Sequence, residues 1–251
     1  MHRVVRAACK RLGIMHVGRR RVRDLVDFIE DRAITAVIDV GANVGQFGES
    51  LRKAGFRGRI ISVEPGKAEF QALLRKAQAD GNWEALHCGL GAHAGRAVLH
   101  VSQLSVFNSL LDLSAAARLH DERMAVDHTE EIVVRTLDEI AAPLTGNILL
   151  KIDTQGYERE VLEGGRPCLT RMAGILLELP IVHTYEGEWT FQDGIRYMSE
   201  LGFVPAQIQP VGFHTADKVS AVEFDCLFRP RSEIDGPQAS RDNKASTGNN
   251  R

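Results

Sequence analysis

Along the chain, short apolar runs alternate with segments of mixed polarity, and the period of the pattern changes with them. "TAVIDV" (35–40), "GRIISVE" (58–64), "WEALHCGL" (83–90), "NILLKID" (147–153), "GILLELP" (174–180) and "AVEFDCLF" (221–228) have the length and composition of buried strands. Between them the apolar positions take helical spacing. "RVRDLVDFIEDRAI" places Val22, Leu25, Val26, Ile29 and Ile34 near one face. "FGESLRKAG" closes on Gly55, "AEFQALLRKAQADG" on Gly81, and "YEREVLEGG" on the pair Gly164–Gly165, which suits a C-terminal cap. "FQDGIRYMSELG" predicts one more helix. Strands alternating with helices argue for an α/β domain, a mostly parallel sheet covered on both faces with "GILLELP" near its centre.

Two stretches break the rhythm. Residues 95–140 hold extra strands, "RAVLHVS" and "EIVVRTL", around a polar segment, and are expected to form a substrate-side insert or lid. His120 and His128 of that insert are expected to face solvent. "FVPAQIQPVGFH" and "VSAVEFDCLF" read as an antiparallel pair that finishes the sheet. The organisation expected is a basic helical segment over 1–34, the main domain over 35–230, and a disordered tail over 231–251, which has almost no apolar residues.

Charge changes this picture only at the start. With 31 basic and 33 acidic residues the formal net charge is −2, so no global field favours nucleic acid. Residues 1–23, however, carry Arg3, Arg6, Lys10, Arg11, Arg19, Arg20, Arg21 and Arg23 and no acid. A solvated basic helix is the plainest reading; contact with an anionic membrane surface and a nucleic-acid arm are the others. No uninterrupted apolar core follows, so the leader does not read as a secretory signal. Cys9, Cys88, Cys168 and Cys226 are far apart and form no metal-binding pair, which fits a reduced, cytoplasmic setting.

The first chemical signal is "DVGANVGQFG". Gly41, Asn43, Gly45 and Gly48 follow a strand and precede a helix, at the end of an α/β sheet where ligands bind. About twenty residues on, a second strand ends in Glu64, an acid placed to take the hydroxyls of a ribose. Together they indicate a nucleoside-bearing cofactor. Asp39 beside the loop would repel a pyrophosphate and attract an ammonium group, and Asn43 stands where a dinucleotide fingerprint has glycine. S-adenosylmethionine is therefore favoured, with an NAD(P)-dependent oxidoreductase as the alternative.

The second signal is "NILLKIDTQG" with the following strand. Alternation puts Lys151 and Asp153 on one face, and a lysine in an apolar strand needs a partner. If "GILLELP" is the neighbouring strand, Glu178 ends roughly 5 Å from Asp153. The expected catalytic set is Asp153 to orient or deprotonate an acceptor hydroxyl, His183 as the alternative base, and Lys151 and Glu178 in support. Asp153 and Glu178 are also the candidate ligands for a divalent ion such as Mg²⁺. Glu158 and Glu160, in the first turn of a helix, are explained by its dipole.

"VIDVGANVGQFG", "SVEP", "LKIDTQGYEREVLEGG", "LLELP", "TLDEI" and "LGFVPAQI" together resemble the FkbM-type family of methyltransferases, over roughly residues 35–228. The resemblance implies a Rossmann-like, seven-stranded class I methyltransferase fold whose last strand is antiparallel, with S-adenosylmethionine as donor. It places the cofactor on Asp39, Gly41, Asn43, Gly45 and Glu64. "FNSLL" adds Asn108 and Ser109, with asparagine where one serine is usual, and Gln155 stands where relatives often have glutamate. The expected function is O-methylation of a sugar, glycolipid or related metabolite, with a nucleic-acid methyltransferase as the weaker alternative. The expected partners are a small glycan, glycolipid or polyketide-like acceptor, a membrane inner face met through residues 1–23, and a second copy of the chain; no specific nucleic acid is expected.

Overall fold

The computed structural model describes residues 18–114, 124–213 and 219–233. Helix α1 (Gly18–Asp31) leads into β1 (Ile34–Val40), followed by α2 (Gln46–Lys53), β2 (Arg59–Val63), α3 (Lys67–Gln78) and β3 (Trp83–Leu86). The chain then makes a second, smaller sheet from β4 (Gly89–Leu90), β5 (Gly95–Ser102) and β6 (Val126–Arg135). It returns through α4 (Leu137–Ala141) to β7 (Asn147–Ile152), α5 (Glu158–Glu163), α6 (Arg166–Leu169), β8 (Met172–Pro180), α7 (Phe191–Glu200), β9 (Phe203–Phe213) and β10 (Ala221–Pro230).

The main sheet has seven strands in the order β3-β2-β1-β7-β8-β10-β9. Its first five strands run parallel, while β10 is antiparallel to both neighbours, β8 and β9. Alternate side chains bury on opposite faces. Ile38, Val40, Leu150 and Ile152 pack against α4–α7; Val37, Ile60, Leu149 and Leu227 pack against α1–α3. The switch point falls between β1 and β7, because β1 connects outward to β2 and β7 outward to β8. In sheets of this kind, ligands bind at the carboxyl ends beside that split.

Three local expectations need correction. "WEALHCGL" is not one strand: β3 stays in the main sheet, while Gly89 and Leu90 pair with Val134 and Arg135 in the small one. "EIVVRTL" ends as a strand at Arg135, because Thr136 caps α4, its Oγ1 accepting from Glu139 N at 3.3 Å. Gly164 does stand at the C-cap of α5, but neither it nor Gly165 takes the left-handed conformation usual for such a glycine, having φ of −71° and −120°. They are glycines for lack of room: a Cβ at Gly164 would lie 2.0 Å from Gly91 O, and one at Gly165 would lie 2.4 Å from Leu137 Cδ2.

The stretch 95–140 holds β5 and β6 of the small sheet and the start of α4, while the sheet's third strand, Gly89–Leu90, precedes it; β9 and β10 form the antiparallel pair at the end of the main sheet. Arg231–Glu233 form a 3₁₀ turn. Residues 1–17 of the basic leader, Cys9, His120 and residues 234–251 of the tail lie outside the described residues. Cys88, Cys168 and Cys226 are buried and free. Among the described residues, no helix is long and apolar enough to cross a membrane.

Candidate active site

A buried polar chain runs across the carboxyl ends of the sheet. Trp83 Nε1 donates to Ser62 Oγ at 3.0 Å, and Ser62 Oγ donates to Asp39 Oδ2 at 3.2 Å. Asp39 has no exposed surface, and its partner in the β1–β7 register is Lys151. Lys151 Nζ lies 3.2 Å from Asp39 Oδ1, 3.3 Å from Asp153 Oδ2, and donates to Gly41 O at 3.2 Å. Burial works against the ammonium, but Asp153 and Asp39 outweigh it and hold the lysine pKa above its usual value. Burial pushes Asp39 up, with Lys151 acting against it.

The ammonium expected beside Asp39 is thus present, and it belongs to Lys151. The close approach expected at the glycines is likewise made largely by the chain itself. Gly41 has φ 72°, and a Cβ there would lie 1.8 Å from Asp153 O. At Gly45 and Gly48 a Cβ would strike Trp83 at 3.2 Å and 2.4 Å. Asn43, at φ 49°, fastens the loop on two sides. Its N–H donates to Glu64 Oε2 at 2.7 Å, and its Nδ2 donates to Ser105 O at 3.1 Å.

Glu64 is buried at the end of β2, and its second oxygen accepts from Gly66 N at 2.8 Å. Burial raises its pKa to about 7, against the pull of those N–H groups. When ionised, each carboxylate oxygen has a second lone pair beyond the one these N–H groups use. Asn108 Oδ1 accepts from Ser102 N at 2.9 Å, and its Nδ2 is buried without a partner, near the backbone of Gly66. Ser109 stands elsewhere: its Oγ donates to Gln155 O at 2.7 Å.

On the other side of the split, Asp153 and Glu178 are linked through the Gln155 side chain. Gln155 Nε2 donates to Asp153 Oδ1 at 3.0 Å and to Glu178 Oε1 at 3.2 Å. Tyr185 OH faces two acceptors, Gln155 Oε1 at 3.1 Å and Phe107 O at 3.2 Å, with one hydrogen to share between them. An amide NH₂ therefore fills the gap where a cation would need oxygen donors. Among the described residues no group of three acidic, histidine or cysteine side chains gathers into a metal site, so Mg²⁺ does not fit this donor set.

Glu178, half-buried, lies among acids. Burial raises its pKa well above the ordinary value, and Glu223, Asp153, Asp225 and Glu158 add to the rise. Glu223 is pushed to about 7 by burial, then by Asp153 and Asp225. His183 does not join this set: it is exposed in the loop after β8, where its carbonyl accepts from Ser114 Oγ at 3.3 Å. His128 is also exposed, as expected, beside Asp127 and Glu130.

Sequence reasoning missed Tyr185, Glu223 and the Trp83–Ser62 leg of the chain, since each reaches the site only through strand order. Glu158 stands in the first turn of α5 as read from the sequence, but that placement gave no sign that it is 2% exposed. The readable signal was a glutamate two residues after the Gln155–Gly156 turn.

The model of the methyltransferase FkbM domain matches residues 39–205, from Asp39 of the glycine loop into β9. The chain belongs to the FkbM methyltransferase family. Among solved structures, the FkbM methyltransferase from Methylobacillus flagellatus KT aligns with a TM-score of 0.50 at 16% identity, covering 78% of this chain and 43% of that one. This FkbM chain thus spans less than half the length of that protein. The magnesium protoporphyrin IX methyltransferase ChlM from Synechocystis PCC 6803, with bound SAM, aligns at a TM-score of 0.45 and 12% identity over 84% of this chain and 78% of that one. The O-methyltransferase NcsB1 of neocarzinostatin biosynthesis aligns at 0.41 and 11%, over 79% of this chain and 50% of that one. No curated protein matches the sequence. The fold is that of the class I methyltransferases.

Proposed function

We propose that this FkbM domain transfers a methyl group from S-adenosylmethionine to a hydroxyl of a sugar, glycolipid or related metabolite. The observation that carries the reading is a half-buried carboxylate, Asp153, at the switch point of a family domain, held from two sides by Lys151 and Gln155. The residues fit the donor. Asn108 Nδ2 is a buried hydrogen-bond donor in need of an acceptor, Glu64 keeps acceptor capacity for a ribose, and no side chain caps the start of α2. When bound, the donor supplies an electrophilic methyl on a sulfonium.

The chain's own work is to position and to take a proton. Lys151 balances Asp39 and Asp153 and ties β7 to the glycine loop through Gly41 O. Gln155 fixes Asp153 Oδ1, so the carboxylate presents a set direction to an acceptor hydroxyl. Asp153 would take the proton of the acceptor hydroxyl as that oxygen accepts the methyl group. Glu178 bears on this through the shared Gln155 amide. His183, outside the hydrogen-bonded set, is the weaker candidate for the base.

The test is calorimetric titration with S-adenosylhomocysteine and, separately, NADH, followed by methyl transfer from tritiated donor to a panel of methyl glycosides. Micromolar binding of S-adenosylhomocysteine alone is expected. Asp153→Asn should keep that affinity within about threefold and reduce transfer by about 100-fold or more. Binding of NADH alone would return the chain to the oxidoreductase class, and full transfer by the variant would remove Asp153 from the chemistry.

A further inference from the structure

Burying a carboxylate costs free energy, and a helix dipole does not ask for it: an exposed acid in the first turn already gains about 0.3–1 kcal/mol. Glu158, the first residue of α5, is nevertheless buried, whereas Glu160 in the same turn is half-buried. The bonds it makes point backward, out of the helix. Its Oε1 accepts from Thr154 N at 2.9 Å, from Gly156 N at 3.1 Å and from Thr154 Oγ1 at 3.2 Å. The two N–H groups flank Gln155, which is held at φ 56°, where a side chain is seldom tolerated. Room is also short around the turn, since a Cβ at Gly156 would lie 3.1 Å from Leu111 Cδ1 and 3.2 Å from Glu188 Cβ.

We infer that Glu158 is a positioning residue for the Asp153–Gln155–Glu178 set: it clamps the turn on both sides of Gln155 and so directs the Gln155 amide between the two carboxylates. The inference rests on the methyltransferase reading for its catalytic consequence, and on geometry alone for the clamp. Glu158 touches neither Asp153 nor Glu178 by a hydrogen bond; its effect passes through the backbone of 154–156. Its Oε2 is buried with no partner, and burial raises the group to about 7. A neutral acid with one accepting oxygen is sufficient for the clamp, so glutamine has the right shape to replace it.

Glu158→Gln and Glu158→Ala decide the matter with three readouts. Amide hydrogen exchange at Thr154 and Gly156 should accelerate about tenfold or more in the alanine variant, with β7 and α5 unchanged, and stay near wild type in the glutamine variant. Affinity for S-adenosylhomocysteine should hold within about threefold in both. Methyl transfer to the best glycoside should fall about 30-fold in the alanine variant through kcat, with recovery to within about fivefold in the glutamine variant. Unchanged exchange at the two amides would overturn the clamp. Equal losses in both variants, or loss of cofactor affinity in step with rate, would overturn the positioning role. A wild-type protein that binds no S-adenosylhomocysteine would sink the methyltransferase reading instead, while the exchange pattern would still decide whether Glu158 holds the turn.

Discussion

At the residue scale, Lys151 is the least replaceable side chain in the site. Among the described residues it is the cation in contact with both Asp39 and Asp153, and it sits among the buried apolar positions Ile148, Leu149, Leu150 and Ile152 of its strand. Removing it leaves Asp39 as a fully buried acid without its cation, a loss that typically costs about 3–5 kcal/mol. Lys151→Met, which keeps the length of the side chain, should therefore destabilise the domain by about 3 kcal/mol in urea unfolding. Adding Asp39→Asn should recover part of that loss, because the buried charge goes with its partner. A variant as stable as wild type would mean that Asp39 is neutral in the folded protein without help. The sequence already showed Lys151 and Asp153 on one face. It did not show Asp39 as the third member, because that pairing depends on β7 lying beside β1, which strand order decides and local pattern does not.

At the scale of elements, the small sheet is attached to the site by specific bonds. Asn43 holds the loop at Ser105, Tyr185 OH lies 3.2 Å from Phe107 O, and Ser109 Oγ donates to the carbonyl of Gln155. Asn108 and Ser109 are adjacent in sequence and were grouped as cofactor residues, but they face different partners. Asn108 turns toward Glu64 and Gly66, and Ser109 toward the Gln155 turn. Ser109→Ala should then cost about 1–2 kcal/mol of stability and lower methyl transfer about tenfold with cofactor affinity unchanged. Asn108→Ala should instead weaken S-adenosylhomocysteine binding by about tenfold, measured in the same calorimeter. Exchange of these two phenotypes would place Ser109 back on the cofactor. Most elements were legible because their apolar periods were clean: β1, β2, β7, β8 and α7 stand where their runs and glycines put them. The splitting of "WEALHCGL" was not, since eight mostly apolar residues give no sign that the chain changes sheets after Leu86. Nor was the role of the Gly164–Gly165 pair, which answers to Gly91 and Leu137 at long range.

At the scale of the molecule, the site gathers acids whose affinity for a proton burial raises toward neutrality. Burial raises Glu64, Glu158 and Glu188 to about 7, raises Glu223 to about 7 with help from Asp153 and Asp225, and raises Glu178 well above its ordinary value. In the unfolded chain each titrates near its ordinary value of 4.5. Between that value and 7 the folded protein binds more protons than the unfolded one, so stability falls as pH rises through this window. Glu49, Asp80 and Asp193 are shifted the other way by their hydrogen-bond partners, and the stability they contribute is lost only in more acidic solution, below the usual carboxylate range. The optimum should therefore lie near pH 5, on the acid side of neutrality, in the ligand-free protein. Thermal unfolding at pH 5.5 and pH 8.0 at constant ionic strength reads this directly, with a melting temperature lower by roughly 5 °C at the higher pH. Glu158→Gln should flatten the profile, since an amide has no proton to lose. A profile that rises from pH 5.5 to 8.0 would show these acids to be ionised in the fold, and the carboxylates around Gln155 would then need a cation or water to hold them apart.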